Sequence, residues 1–316
     1  MALEILGIAS DIAGCRLGSA NGVALLCDYM KKHNLGILHD RDYLTLDSAN
    51  IQVAEKEDYA KHIALLYDFF KNQVAQNIMD MIHRQAFPFI ISGDHSSALA
   101  AVQGVQNALP NDTIGIIWID AHADIHTPLS TFSGNLHGMP LAALIGHKAA
   151  NKNIITESQM QYWEKISNIS KDSINPQNVI YCGVRSLEQA EQDVIDLHKI
   201  PLFSVESLRN DRESCIHAMQ KHLSQSTKIY VSVDIDVLDC NVFESTGCNE
   251  INGLYENELL ELVKDIIASF HHKIVAFELS EFNPKLGNKQ QEDKEMVQDF
   301  LHKITESLRQ HKVPFV

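Results

Sequence analysis

The sequence predicts an α/β fold in three layers, α/β/α, around a mainly parallel central sheet. Its strand candidates are continuous apolar runs, which is how strands buried on both faces read. They alternate with helical segments along the chain, the pattern that covers both faces of a parallel sheet with helices. Acidic and histidine residues follow directly on several of these strands. In open α/β sheets, ligands bind at the carboxyl ends of strands.

The elements follow in order. Leu3 to Ala9 is a short apolar strand; Gly14, Gly18 and Gly22 punctuate a loop, and Val23 to Lys32 has helical periodicity. Asp58 to Arg84 predicts one long amphipathic helix, with Ile63, Leu66, Phe69, Phe70, Val74, Ile78 and Ile82 on its apolar face. Phe87 to Ile91 is a strand with Pro88 at its start, where a missing donor is tolerated. Ser92-Gly93-Asp94-His95-Ser96 then turns into a helix over Ala98 to Leu109. Ile114 to Ile119 is the next strand, followed by Asp120-Ala121-His122-Ala123-Asp124, a polar loop through Asn135 and a helix over Leu136 to Ile145. Asn151 to Gln177 is polar, with a helix around Met160 to Ile166. Asn178 to Val184, Pro201 to Ser204, Lys228 to Val233 and Lys273 to Leu279 predict strands. Asp211 to Leu223, Tyr255 to Phe270 and Gln291 to His311 predict helices. With no repeat, low-complexity segment or linker, residues 1–316 read as one domain.

Length and composition exclude several classes. The 316 residues, 45% hydrophobic and 21% charged, are those of an ordinary globular protein with a sizeable core. A net charge of −15 argues against nucleic acid or anionic membrane as partner and accords with a small cationic substrate. None of the six cysteines forms a CxxC pair, so reduced thiols in a cytoplasmic protein are expected. The N-terminus reads straight into a strand instead of a secretory leader, and no apolar run reaches membrane-spanning length.

Three strand ends carry the chemistry: His95, the trio Asp120, His122 and Asp124, and the pair Asp234 and Asp236. Residues spaced by two share a face if the chain stays extended. Four clustered aspartates would repel one another unless cations sit among them. Six carboxylate and imidazole ligands without a cysteine exceed the needs of a structural zinc site. They suit two Mn²⁺ ions, or Fe²⁺ or Co²⁺, bridged by shared carboxylates. Such a pair lowers the pKa of a water between the ions, which points to metal-assisted hydrolysis.

Gly93-Asp94-His95-Ser96, Asp120 to Asp124, Ser232-Val233-Asp234-Ile235-Asp236 and Glu281-Phe282-Asn283-Pro284 together resemble the ureohydrolase (arginase/agmatinase) family. Each motif is weak alone, but the ordered set runs over nearly the whole chain. The loop Ser133-Gly134-Asn135-Leu136-His137-Gly138 is similar to the arginase branch in particular. The resemblance implies the arginase-like fold and a hydrolase acting on linear amidines, with L-arginine giving L-ornithine and urea. It implies one manganese on His95, Asp120, Asp124 and Asp234, and another on His122, Asp120, Asp234 and Asp236. Asp124 would also accept a hydrogen bond from the attacking hydroxide. Glu281 would face the guanidinium and His137 would shuttle a proton. Ser133 and Asn135 would hold the substrate carboxylate. The family also implies a homotrimer or homohexamer.

The departures from the arginase pattern concern substrate recognition. His126 stands where arginases usually carry Asn, and Glu188 where an aspartate helps bind the α-amino group. Cys248 replaces a threonine near the guanidinium. Every expected metal ligand is intact. The rivals are therefore hydrolysis of agmatine, another guanidino acid or N-formimidoyl-glutamate, and a metal-binding member without catalysis.

Overall fold

A computed structural model describes residues 3–46, 59–148 and 155–313. The strands are β1 (Leu3–Ala9), β2 (Ile37–Thr45), β3 (Phe87–Ser92), β4 (Ile114–Ile119), β5 (Val179–Cys182), β6 (Leu202–Phe203), β7 (Lys228–Asp234) and β8 (Ile274–Ser280). They form one sheet in the order β2-β1-β3-β8-β7-β4-β5-β6, and each of these pairings is parallel. Parallel neighbours need crossover connections, and helices supply them. They are α1 (Ser19–Lys32), α2 (Tyr59–Phe69), α3 (Gln76–His83), α4 (Ser97–Ala108), α5 (Pro140–Leu144), α6 (Glu157–Ser167), α7 (Gln189–His198), α8 (Val205–Asn210), α9 (Arg212–His222), α10 (Glu256–Phe270) and α11 (Gln290–Gln310).

Successive strand residues feed opposite cores, which is why the inner strands are mainly apolar. Leu3 and Ile5 of β1 pack with α1 and the α8–α11 side, whereas Leu6 and Ile8 join the core of α2–α7. The three-layer expectation therefore holds, with a sheet that is wholly parallel among the described residues. No helix of the described residues is long and apolar enough to cross a membrane.

The helix expected over Leu136 to Ile145 is instead a 3₁₀ turn, Leu136–Gly138, followed by the short α5, and α7 and α8 stand where no helix is expected. Two further departures have a plain physical reason. Apolar spacing gives no strand at Ile37–Thr45, because His39-Asp40-Arg41-Asp42 interrupts it. β2 is an edge strand, where a polar sequence is tolerated and discourages further pairing. The helix expected from Asp58 to Arg84 begins at Tyr59 among the described residues, Asp58 lying outside them, and contains a π-helical turn at Phe70–Ala75. Leu66, Phe70, Val74 and Ile78 are spaced by four, which overshoots the 3.6-residue α turn. The wider turn absorbs the excess and keeps all four buried.

The order places β3, β8, β7 and β4 side by side. Their carboxyl ends come from segments nearly 200 residues apart in sequence and meet at one edge, the ligand-binding edge of such sheets.

Candidate functional site

Each of these four strands delivers an acid or a histidine to that edge. His95 follows β3 in a turn opened by Gly93. A Cβ at Gly93 would lie 2.1 Å from the Ser10 carbonyl oxygen, so glycine is what lets the loop after β1 close on this turn. Asp120, His122 and Asp124 follow β4, and Glu281 is the first residue past β8. Asp234 ends β7, and Asp236 lies in the 3₁₀ turn Ile235–Val237.

The acidic groups do not converge by extended alternation, as their spacing predicts. β4 stops at Ile119, and Asp120 Oδ1 accepts the His122 N–H at 2.7 Å, bending the chain. Asp124 then adopts a left-handed conformation, φ 50°. Likewise Asp234 Oδ1 accepts the Asp236 N–H at 2.8 Å. Past the sheet edge the backbone donors have no strand partner, and aspartate side chains take them in local turns. These turns, not the pleat, aim the side chains.

They nevertheless meet. His95 Nδ1 lies 3.0 Å from Asp120 Oδ2 and 3.2 Å from both Asp124 Oδ2 and Asp234 Oδ2. His122 Nδ1 lies 3.0 Å from Asp236 Oδ2 and 3.5 Å from Asp120 Oδ1. Asp120 thus turns one oxygen to each imidazole. One ring N–H cannot serve three carboxylate oxygens, so the grouping is poorly satisfied as a set of hydrogen bonds. Burial, with Asp236 and Asp120 beside it, pushes the Asp234 carboxyl well above the usual range. Burial and Asp120 push Asp124 up to about 6. A cation in each group relieves both burdens. His95, Asp120 and Asp234 form one group able to hold an ion, and Asp120, His122 and Asp236 another. Their oxygen-rich, sulfur-free donor set fits ions of the Mn²⁺ type.

Around them lies a shell that strand reading passes over as core. His95 Nε2 lies 2.8 Å from Ser232 Oγ, which donates to Glu278 Oε2 at 3.0 Å. Glu278, fully buried, also accepts from Ser92 and Tyr230, each at 2.7 Å. The Trp118 indole donates to Asp120 Oδ2 at 2.9 Å, and its ring stacks on His95. The available signal was that Ser232 and Glu278 interrupt otherwise apolar strands; the sheet pairs them directly. Arg185, also unflagged by sequence, donates to the carbonyls of Gly183, Asp236, Val237, Leu238, Glu250 and Ile251. It staples the loop after β7 to the end of β5.

Glu281 and His137 form a second grouping. Glu281, at φ 66°, accepts the His95 N–H and the His137 ring, both at 3.0 Å, on Oε1. Burial works against a charge on His137, but the Glu281 hydrogen bond overrides it and raises its pKa to about 10. Cys248 lies here too, with its Sγ 2.8 Å from that of Cys15. Cys15 is a lone cysteine in a glycine-punctuated loop, so no spacing in the sequence points to it.

The residues expected at the far end of a substrate are placed as follows. His126 Nε2 lies 3.1 Å from Glu188 Oε2 and 3.7 Å from Glu191 Oε2. His126 and Glu188 are therefore brought together as a pair. Ser133 is exposed and Asn135 half-buried on the loop before His137, and the Asn135 N–H donates to Ser133 Oγ at 3.2 Å.

A sequence profile described as "Arginase family" matches residues 2–305. The arginase of Coccidioides immitis (strain RS) is 32% identical over 222 residues, 68% of this chain and 64% of that relative. The match thus spans just under two thirds of that relative's length. The arginase of Bacillus subtilis (strain 168) is 27% identical over 315 residues, covering 95% of this chain and 98% of its own. Among solved structures, Helicobacter pylori arginase superposes with a TM-score of 0.81 at 28% identity, over 97% of this chain and 100% of that one.

Proposed function

Because this chain belongs to the arginase family, we propose that it is a binuclear-metal amidinohydrolase that splits L-arginine into L-ornithine and urea. One observation carries the reading: the buried Asp120 carboxylate offers one oxygen to the His95 group and the other to the His122 group. His95, Asp120, Asp124 and Asp234 would hold one divalent ion. His122, Asp120, Asp234 and Asp236 would hold the other, with Mn²⁺ first and Fe²⁺ or Co²⁺ as substitutes. When bound, such a pair supplies a hydroxide nucleophile near neutral pH.

The side chains have separate tasks in this reading. Asp124 accepts a hydrogen bond from the attacking water and orients it. Glu281 Oε1 stays fixed by His95 N–H and His137, so Oε2 takes the guanidinium N–H donors. His137 Nδ1 is engaged by Glu281, which makes Nε2 the atom that passes a proton to the leaving amine. Ser133 and Asn135 receive the substrate carboxylate, and His126 with Glu188 the α-amino end. Cys248 borders the guanidinium. The protein acts in the cytoplasm as a single catalytic domain, assembled as a homotrimer or homohexamer.

The His126–Glu188 contact favours a second reading. Two groups meant for the amino-acid end already lie within ion-pair distance of each other, which suits a guanidine with a different polar end, such as agmatine or 4-guanidinobutyrate.

The test is urea release from L-arginine, agmatine and 4-guanidinobutyrate by Mn²⁺-reconstituted protein, with formamide release from N-formimidoyl-glutamate alongside. Turnover of L-arginine above the others is the expected result. Turnover of another guanidine alone transfers the proposal to that compound. Two bound metals with silence on the whole panel overturns catalysis in favour of a binding role.

A further inference from the structure

Cys15 and Cys248 are 233 residues apart in sequence, yet their sulfurs touch at 2.8 Å. Both are free thiols. Cys15 is exposed and Cys248 half-buried, while Cys27, Cys182 and Cys215 are buried. Solvent therefore reaches one member of the pair directly.

Both thiols sit on fastened loops. Upstream of Cys15, Asp94 accepts the Ala13 N–H at 3.2 Å, and the Ala13 carbonyl accepts the His137 N–H at 3.2 Å. Downstream, Asp11 accepts the Gly18 N–H at 2.7 Å, and Asn283 donates to the Leu17 carbonyl at 3.2 Å. Beside Cys248, Asn249 donates to the Glu244 carbonyl at 3.1 Å. The sulfur contact is thus held from both sides.

The pair adjoins the candidate guanidinium pocket. The sulfurs of Cys15 and Cys248 and a ring nitrogen of His137 lie within 4.8 Å of one another. A Cβ at Gly247 would lie 3.0 Å from Cys15 Sγ and 3.9 Å from Glu281 Oε2. The S–H of Cys248 and the nearby His137 favour the Cys15 thiolate, lowering its pKa to about 7. A thiolate is the nucleophilic form of cysteine.

We propose that Cys15 and Cys248 are a redox-responsive dithiol, which hydrogen peroxide converts to a disulfide across the guanidinium side of the pocket, disabling the site. The disabling part rests on the amidinohydrolase reading. The Cys15 thiolate attacks one peroxide oxygen, the O–O bond breaks, and the departing hydroxide takes up the thiol's proton as water. This leaves a sulfenic acid on Cys15. Cys248 Sγ attacks that sulfur, the S–OH bond breaks, and the hydroxyl leaves with the Cys248 proton as a second water. Two thiols and one peroxide give one disulfide and two waters, and an added dithiol reverses the linkage by exchange. The bond pulls the sulfurs closer than their present contact and shifts the loops that flank His137 and Glu281. Displacement on the scale of an ångström in a positioned site costs about a hundredfold in rate.

The experiment treats Mn²⁺-reconstituted protein with hydrogen peroxide, maps its peptides without reduction, and measures urea release and calorimetric L-arginine binding before and after. The expected map contains a Cys15–Cys248 cross-linked peptide lighter by two hydrogens, with turnover reduced at least about tenfold and restored by dithiothreitol. Cys15→Ser and Cys248→Ser should each abolish the cross-link, and peroxide should leave each variant at its own untreated rate. Sulfinic acid on Cys15 without a cross-link, a cross-link between other cysteines, or a cross-link that leaves turnover and L-arginine binding unchanged would overturn the proposal. Protein silent on every guanidine before oxidation defeats the amidinohydrolase reading instead. The peptide map and the binding titration still decide this one.

Discussion

His137 Nδ1 lies 3.0 Å from Glu281 Oε1, so the candidate proton shuttle and the candidate guanidinium anchor are one hydrogen-bonded pair. Burial opposes the imidazolium, but Glu281, with Asp124 and Cys15 nearby, raises its pKa to about 10. A histidine whose folded pKa exceeds its unfolded value stabilises the fold fully below the unfolded value. That contribution is lost as pH rises through the folded value. For His137 the window runs from about 6.5, the ordinary histidine value, up to about 10. Glu281→Gln should therefore destabilise metal-free protein by about 1.5–3 kcal/mol at pH 6, the range for a charge-assisted bond. Relief of Asp94, whose pKa burial and Glu281 together push up to about 7, offsets part of this toward neutral pH. Thermal melts of both proteins at pH 6 and pH 10 check it: the gap should shrink with pH, and a constant gap would show that the pair is uncharged.

Asp120→Asn probes the shared carboxylate. Asparagine keeps the size of the side chain and can still accept the Trp118 indole N–H, but it loses the charge and one of the two oxygens that face His95 and His122. Metal content by mass spectrometry should fall from two equivalents to one or fewer. Urea release should fall by more than the roughly 10–100-fold typical of changes outside the ligand set. Circular dichroism should match that of the parent. Two retained ions with full turnover would remove Asp120 from the bridging position.

Much of this site is legible in the sequence because chemistry-bearing residues sit directly after apolar runs. The His95 turn, the Asp120–Asp124 stretch and the Asp234–Asp236 pair announce themselves in that way, and the parallel sheet then brings their ends together. What spacing could not supply was the manner of convergence. Asp120 and Asp234 capture backbone N–H groups two residues on, and Asp124 takes a left-handed conformation. Long-range contacts were hidden for a different reason. Cys15 has no periodic or motif partner, and only the loop after β7 places Cys248 against it. Ser232 and Glu278 are camouflaged inside strands whose interior residues are otherwise mainly apolar.

Glu278→Gln tests that hidden support. The carboxylate accepts three hydroxyl donors, from Ser92, Tyr230 and Ser232, inside a fully buried network. An amide offers one acceptor oxygen and turns its NH₂ toward hydroxyls that also donate. The Ser232 hydroxyl then loses its fixed direction toward His95 Nε2. Metal affinity should drop about 10–100-fold, as for other partners of a ligating histidine. The fold should lose about 1–3 kcal/mol, the cost of one poorly satisfied buried group. Competition with a chelator and denaturant melts read the two effects separately. Unchanged affinity in a destabilised protein would make the network purely structural.

Arg185→Lys asks whether the loop after β7 is held by charge or by geometry. The guanidinium reaches six carbonyls around β5 and that loop, among them those of Asp236 and Glu250. Lysine keeps the charge but offers three donors from one nitrogen, so several of these carbonyls lose their partner. Asp236 faces His122, and Glu250 Oε1 lies 3.6 Å from the other nitrogen of that ring and accepts from Ser186. Loosening the loop should therefore act on the His122 side of the metal centre and spare the His95 side. We expect one metal equivalent to become readily removable by chelator while the other stays bound, and the thermal midpoint to fall by several degrees. Equal loosening of both ions would mean that Arg185 supports the whole strand edge and not the His122 group in particular.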